Sequence, residues 1–188
     1  RKLAATSLAD EVNLELESLA MPNSKLVIEL EQTDFGPSGA DKVSMLLSSY
    51  QGAVPRAISK AASGGELSRI MLAIEVVLAG KSQTPTMIFD EVDSGVGGSS
   101  AIEIGRRLKK LSEQCQVVVV THLAQVAAFA DNHLLVKKDN GEGFVESDVQ
   151  TVSENLRESE LARMLSGLDS SESALTHAKE LLQLSKNS

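Results

Sequence analysis

The 188-residue sequence has a single cysteine, no apolar run near the length of a membrane span, no internal repeat and no low-complexity segment. One cysteine excludes an internal disulfide. Cys115 stands just before the apolar run Val117 to Val120, so it reads as a buried structural thiol and fits a reducing compartment. Without about 20 consecutive apolar residues, and without the apolar core of a signal peptide at the N-terminus, nothing directs the chain into or across a membrane. The cytoplasm is the expected location. Positive charge is also in short supply: 18 Lys and Arg stand against 26 Asp and Glu, a net charge of −8. That balance argues against a domain that grips nucleic acid over its whole surface. Arg106, Arg107, Lys109 and Lys110 form a local exception, readable as a solvated helix face or as a small DNA contact. The content, 42% hydrophobic and 23% charged, is that of an ordinary globular protein with enough chain for one substantial core.

The hydrophobic pattern sets out the elements. Residues 1–20 read as a helix with Leu8, Val12, Leu16 and Leu19 on one stripe, stopping before Met21-Pro22-Asn23. It has no N-terminal cap and is already under way at Arg1, as expected of a fragment. Its stripe fits the returning end of a coiled coil or simply a packed helix. Lys25 to Leu30 alternates like a half-buried strand, and Val43 to Leu47 reads as another after the turn residues Phe35 to Gly39. From Thr86 the pattern changes to apolar strands between helices: Thr86 to Phe89, Ala101 to Leu111, Val117 to Val120, Leu123 to Ala130, Leu134 to Val136. Such alternation implies an α/β fold with a mostly parallel sheet covered by helices on both faces. A strand near Phe144 to Val149 and two amphipathic helices, Glu154 to Leu165 and Ser171 to Leu184, complete the chain.

Before that region stands Ala62-Ser63-Gly64-Gly65-Glu66-Leu67-Ser68-Arg69, which opens a helix whose apolar residues run almost all round: Leu67, Ile70, Met71, Leu72, Ala73, Ile74, Val76, Val77 and Leu78. It is expected to be well buried. Ser63 and Glu66 have the spacing of a capping box, in which serine caps the helix and glutamate reaches back; Ser100 and Glu103 repeat that spacing. A cap leaves Gly64 and Gly65 unexplained, because glycine weakens a helix by roughly 1 kcal/mol relative to alanine. Bare positions at a helix start also let an anion reach the free N–H groups and the positive end of the dipole. On the octet alone, cap and phosphate cradle both stand.

Three more groups of polar residues follow apolar strands. The strand Thr86 to Phe89 ends in Asp90-Glu91, at the edge where an open α/β sheet has its ligand crevice. One carboxylate there suits Mg²⁺, held through water, while the next suits orientation of an attacking water; alternatively both cap the following turn. Asp93 lies in the glycine-rich loop Val92 to Gly98, where Ser100 stands in place of the third glycine of a dinucleotide fingerprint, so that reading is dropped. The strand Val117 to Val120 ends in Thr121-His122, and a strand-end histidine is either incidental or a site residue according to its surroundings.

The order of these elements resembles the ABC-type ATPase head: signature motif, Walker B, D-loop and H-loop. Glutamate in "SGGE" resembles the SMC-like branch. The stretches "ASGGELSRIMLA", "IFDEVDSGVGG", "VTHLAQVAAFADNH" and "ELARMLSG" are similar to the RecN family of bacterial DNA repair proteins, a likeness running from about Val43 onward. Two positions depart from the pattern: Ala62 replaces the leucine common in transporters, and Tyr50-Gln51-Gly52 stands where an Asn-Pro-Gly-like turn is usual. No G-x-x-x-x-G-K-[ST] phosphate loop occurs; Gly36 to Ser44 comes nearest, with Lys42 followed by valine.

The resemblance implies that this chain is the C-terminal lobe of an SMC-like ATPase head over residues 21–188, preceded by the end of a coiled-coil helix over residues 1–20. The Walker A lobe would lie in an N-terminal half of the same polypeptide. It implies ATP and Mg²⁺ as ligands, with Ser63, Gly64, Gly65 and Glu66 closing on nucleotide held by a second head. It further implies Asp90 on Mg²⁺ through water, Glu91 on the attacking water, His122 on the γ-phosphate and Asp93 coupling the two sites. DNA would be handled by the larger, nucleoid-associated protein in double-strand break repair and recombination, and the isolated fragment would be inactive. A transporter ATPase is the first alternative, although only 61 residues precede Ala62, little room for a Walker A core in this chain. A non-catalytic scaffold is the second; the retained Asp90, Glu91 and His122 count against it.

Overall fold

A computed structural model describes residues 1–37, 39–79, 84–141, 144–167 and 171–187, and its first helix, α1 (Lys2–Ser18), turns the expected stripe inward. Val12, Leu16 and Leu19 are fully buried, whereas Leu8, nearer the N-terminus, is half-buried. The chain divides into two units, Arg1–Thr121 and His122–Ser188.

In the first unit α1 is followed by an antiparallel sheet of β1 (Lys25–Gly36), β2 (Gly39–Ser48) and the short β3 (Arg56–Ala57), in that order. The two strands expected here are present and longer than the apolar alternation, because the turn residues tighten a hairpin that carries polar residues out to Gly36 and Gly39. Asn13 fastens α1 to β1: its amide donates to the Leu26 carbonyl (3.1 Å) and accepts from the Leu26 N–H (2.7 Å). A single turn, α2 (Ile58–Ala61), leads to α3 (Gly64–Val77). Ile70, Leu72, Ala73, Ile74 and Val76 of α3 form the core with α1 and with α4 (Gly98–Ser112), which contributes Ala101, Ile104, Leu108 and Leu111.

The parallel sheet of this unit consists of β4 (Thr86–Phe89) and β5 (Gln116–Val119), paired Met87 to Val117 and Phe89 to Val119. The equal register brings both carboxyl ends to one edge. Covering on both faces is not found among the described residues: Ile88 is 71% exposed, Val120 58% and Val118 42%. Leu67 and Met71 of α3 are exposed as well, so that helix is buried on one side only. Two strands are too few for the sheet expected from the alternation. The capping box expected at Ser100 and Glu103 is also absent, because α4 starts earlier, with Gly97 as its cap residue and no side-chain cap. Glu103 instead pairs with Arg106 (3.4 Å) and Arg107, and Arg107 also reaches Glu15 (3.0 Å). Arg106 and Arg107 of the basic run are thus ion-paired.

The second unit holds α5 (Ala124–Ala127), an antiparallel pair β6 (Leu134–Gly141) and β7 (Phe144–Thr151), then α6 (Glu154–Ser166) and α7 (Glu172–Lys186). The segment expected as another parallel strand, Leu134 to Val136, instead pairs antiparallel with β7, Leu134 opposite Thr151. A strand followed so closely in sequence by another pairs with it as a hairpin, whereas a parallel partner needs a longer crossover. The helix expected over Leu123 to Ala130 narrows to one turn. Arg157, buried on α6, donates to the carbonyls of Ala127 (3.4 Å), Ala128 (3.4 Å) and Ala130 (2.7 Å), satisfying groups that a longer α5 would have bonded itself. Leu161 and Ala162 of α6 and Ala174, Ala178 and Leu181 of α7 supply the core of this unit. No helix among the described residues is long and apolar enough to cross a membrane.

Candidate functional site

The start of α3 is a complete capping box. The Ser63 N–H donates to Glu66 Oε2 (2.8 Å), and the Glu66 N–H donates to Ser63 Oγ (3.4 Å). The Ser63 hydroxyl also donates to Glu66 Oε2 (2.8 Å), which holds its oxygen at the helix mouth. These bonds to Ser63 keep the Glu66 carboxyl below the usual carboxylate range, against a smaller opposing effect of burial. The helix start is therefore anchored in its own cap.

The two glycines meet the loop that follows β4. A Cβ on Gly65 would come within 2.8 Å of Ser94 Cβ, closer than real Cβ atoms approach, and 3.0 Å from the Glu91 carbonyl oxygen, a tight contact. Gly65 is bare because another stretch of backbone lies against it. At Gly64 the obstacle would be different: a Cβ would come 2.9 Å from Glu91 Oε2, the movable end of a side chain. Gly64 is exposed and Gly65 buried, so only the first is open to a ligand. The cap and the close approach to the chain's own loop together account for much that the phosphate cradle was invoked to explain.

Asp90 and Glu91 are both exposed at the carboxyl end of β4, as expected for acids at the edge of a parallel sheet. Glu91 has a left-handed backbone (φ 56°), which costs a non-glycine residue about 1 kcal/mol and is typical of sites held by their surroundings. Asp93, two residues on, is almost wholly buried, and the Thr121 hydroxyl at the end of β5 donates to its carboxylate. Asp93, placed by sequence in a glycine-rich loop, therefore sits within the site's framework. Sequence did not single out Ser68, Arg69 or Thr121. Ser68 Oγ donates to the Asp90 carbonyl (2.7 Å), and Arg69 Nη1 donates to the carbonyls of Val92 (3.3 Å) and Ser94 (2.8 Å). Arg69 is buried; burial lowers its affinity for a proton while Glu66 and Asp93 oppose that shift. A lone cation inside an otherwise apolar helical face was the available signal.

Within the first unit the structure thus brings together Ser63, Gly64, Gly65, Glu66, Asp90, Glu91 and Asp93. His122 opens the second unit, where its side chain is exposed. Cys115 is half-buried, and burial raises its thiol pKa, the opposite of an activated nucleophile. No group of three or more potential metal ligands occurs among the described residues. A Mg²⁺ ion does not need one, since it keeps several waters and takes one or two carboxylates together with phosphate oxygens.

No family model matches the chain. It is 50% identical to DNA repair protein RecN of Streptomyces coelicolor over 199 aligned positions, which cover 99% of this chain and 35% of that protein. Identity to the RecN of Mycobacterium leprae is 44%, over 99% of this chain and 35% of the relative, and to that of Haemophilus influenzae 43%, over 98% and 33%. The chain spans about a third of the length of the curated relatives it matches. Among solved structures, an Smc head domain with a coiled coil and joint from Pyrococcus yayanosii superposes with a TM-score of 0.60 at 22% identity, over 99% of this chain and 30% of that one. An Smc head bound to the C-terminal winged-helix domain of ScpA gives 0.56 at 19% identity, over 82% and 45%. The likeness to RecN carried by the motifs therefore extends along the whole chain, which corresponds to about a third of a RecN protein and has an SMC-head-like α/β fold.

Proposed function

We propose that this chain is the C-terminal lobe of an SMC-like ATPase head whose complete protein binds and hydrolyses ATP between two heads, in DNA double-strand break repair and recombination. The observation that carries the reading is the junction of the Ser63 to Glu66 helix start with the Asp90 to Ser94 loop, with Glu91 Oε2 beside Gly64. One structured surface holds a helix N-terminus and two exposed carboxylates, and a helix N-terminus suits an anion. Gly64 and the Ser63 hydroxyl would meet the γ-phosphate of ATP held by the opposing head, and Glu66 keeps that hydroxyl in place. Asp90 would hold Mg²⁺ through water; when bound, the ion neutralises charge on the phosphates. Glu91 would orient or deprotonate the attacking water, His122 would contact the γ-phosphate, and Asp93 would carry the state of one site to the other. The partners are the Walker A lobe from the N-terminal half of the polypeptide, a second head, and DNA through the full protein. Residues 1–20, which hold α1, would be the returning end of the coiled coil.

The test is ATP hydrolysis by this chain alone, then with the N-terminal half of the polypeptide added. Turnover is expected only in the pair, and Ser63→Arg is expected to abolish it by filling the helix mouth. Glu91→Gln in the complete protein is expected to keep ATP binding and lose turnover by about 100-fold or more, the range of a general base. Hydrolysis by this chain alone, or undiminished turnover in Glu91→Gln, would overturn the assignment.

A further inference from the structure

The buried guanidinium of Arg69 has no part in the roles assigned so far. It projects from the second turn of α3 and donates to the carbonyls of Val92 (3.3 Å) and Ser94 (2.8 Å), the residues on either side of Asp93. Ser68 beside it bonds the Asp90 carbonyl (2.7 Å), and Gly65 closes against Ser94 and the Glu91 carbonyl. Four points of one loop, at Asp90, Glu91, Val92 and Ser94, are thus gripped by the first two turns of one helix. The cost is visible: Arg69 Nε is buried with no hydrogen-bond partner. A buried cation with an unsatisfied N–H is not what simple packing would select at that position, since an apolar side chain of similar volume is often as stable or more so.

We infer that Arg69 is a positioning residue that locks the helix start at Ser63 to Glu66 and the loop carrying Glu91 and Asp93 into one rigid body, so that both engage the nucleotide interface together. This rests on the proposed head-to-head ATPase. Its consequence is cooperative: a helix start that meets the opposing head's phosphate moves the Glu91 and Asp93 loop by the same displacement. Both bonds come from Nη1, whose two N–H groups are fixed in the guanidinium plane; lysine retains the charge but ends in a freely rotating ammonium on a shorter stem, so Arg69→Lys should loosen the lock without removing the cation.

The test uses the complete protein with Arg69→Lys and Arg69→Met, the latter filling the space without a buried charge. For both variants kcat for ATP hydrolysis is expected to fall at least tenfold, with KM for ATP within twofold of the original and the Hill coefficient for ATP reduced toward one. A purely structural role would lower thermal stability and leave the kcat to KM split and the Hill coefficient of the folded fraction unchanged. Hydrogen exchange on the otherwise unaltered protein gives an answer even where neither variant folds. Amides of Gly64 to Glu66 and of Val92 to Gly95 should gain protection at one shared ATP half-saturation, and separate half-saturations would overturn the inference. Glu91→Gln is run alongside: loss of its turnover together with unchanged kinetics in both Arg69 variants sinks this inference alone, whereas undiminished turnover in Glu91→Gln removes the ATPase reading beneath it.

Discussion

At the scale of residues, Gly64 and Gly65 look equivalent in sequence and are separated by what each would touch. A methyl group on Gly65 meets Ser94 Cβ at 2.8 Å and the Glu91 carbonyl at 3.0 Å, so the loop backbone must shift. Overpacking of that kind costs about 1–3 kcal/mol, and Gly65→Ala is expected to lower stability by that amount in denaturant titration. A methyl group on Gly64 meets only the carboxylate end of Glu91, which swings aside at little cost. Gly64→Ala is therefore expected to leave stability within about 0.5 kcal/mol, the range of an uncomplicated surface change, while turnover of the complete protein falls because Glu91 is displaced. Equal stability losses at the two positions would contradict the contact distances. The sequence carried the signal that the backbone is bare here, but both partners of the glycines lie more than twenty residues further along the chain. No local rule links the two segments.

At the scale of elements, α6 shows how a polar side chain replaces regular structure, with Arg157 bonding the carbonyls that follow α5. Beside it His133 is half-buried, with Nδ1 unpartnered. Burial lowers the His133 pKa, the Glu160 carboxylate opposes this, and Arg157 and Arg163 add to the lowering. Folding therefore favours the neutral imidazole of His133. Since the unfolded chain binds a proton near the ordinary value of about 6.5, this contribution to stability is complete above that pH and is lost as pH falls from there through the lower folded pKa. Nuclear magnetic resonance titration of the three histidines should place the His133 midpoint below the ordinary value; a midpoint at or above it would refute the burial argument. Periodicity located α6 and α7 to within a few residues, because helical stripes are local. It misplaced the extent of α5 and the partner of β6, since Arg157 and the pairing with β7 decide those and neither is visible in the segments themselves.

At the scale of the whole molecule, the sequence led to a parallel sheet covered on both faces, and the described residues supply two parallel strands with one apolar face open. Ile88 and Val118 are cross-strand neighbours on that face, Val120 follows two residues on, and Leu67 and Met71 of α3 are exposed as well. The apolar alternation in the sequence is thus a record of burial that the described residues do not themselves provide. Under the proposed function the cover is the Walker A lobe, continuing the sheet from the N-terminal half of the polypeptide. A charge at Ile88 is solvated in this chain alone, so Ile88→Glu is expected to leave its own folding unchanged. In the assembled head the same carboxylate would be removed from water without a partner, at about 3 kcal/mol or more. Association with the N-terminal half should weaken by about 100-fold, since each 1.4 kcal/mol is tenfold in affinity, and the ATPase activity of the pair should fall at limiting concentration and recover as the halves are added in excess. Calorimetric titration of the two halves measures the first and a concentration series the second. Unchanged affinity in Ile88→Glu would mean that this face meets something other than the missing lobe, and the apolar residues of β4 and β5 would then need another partner.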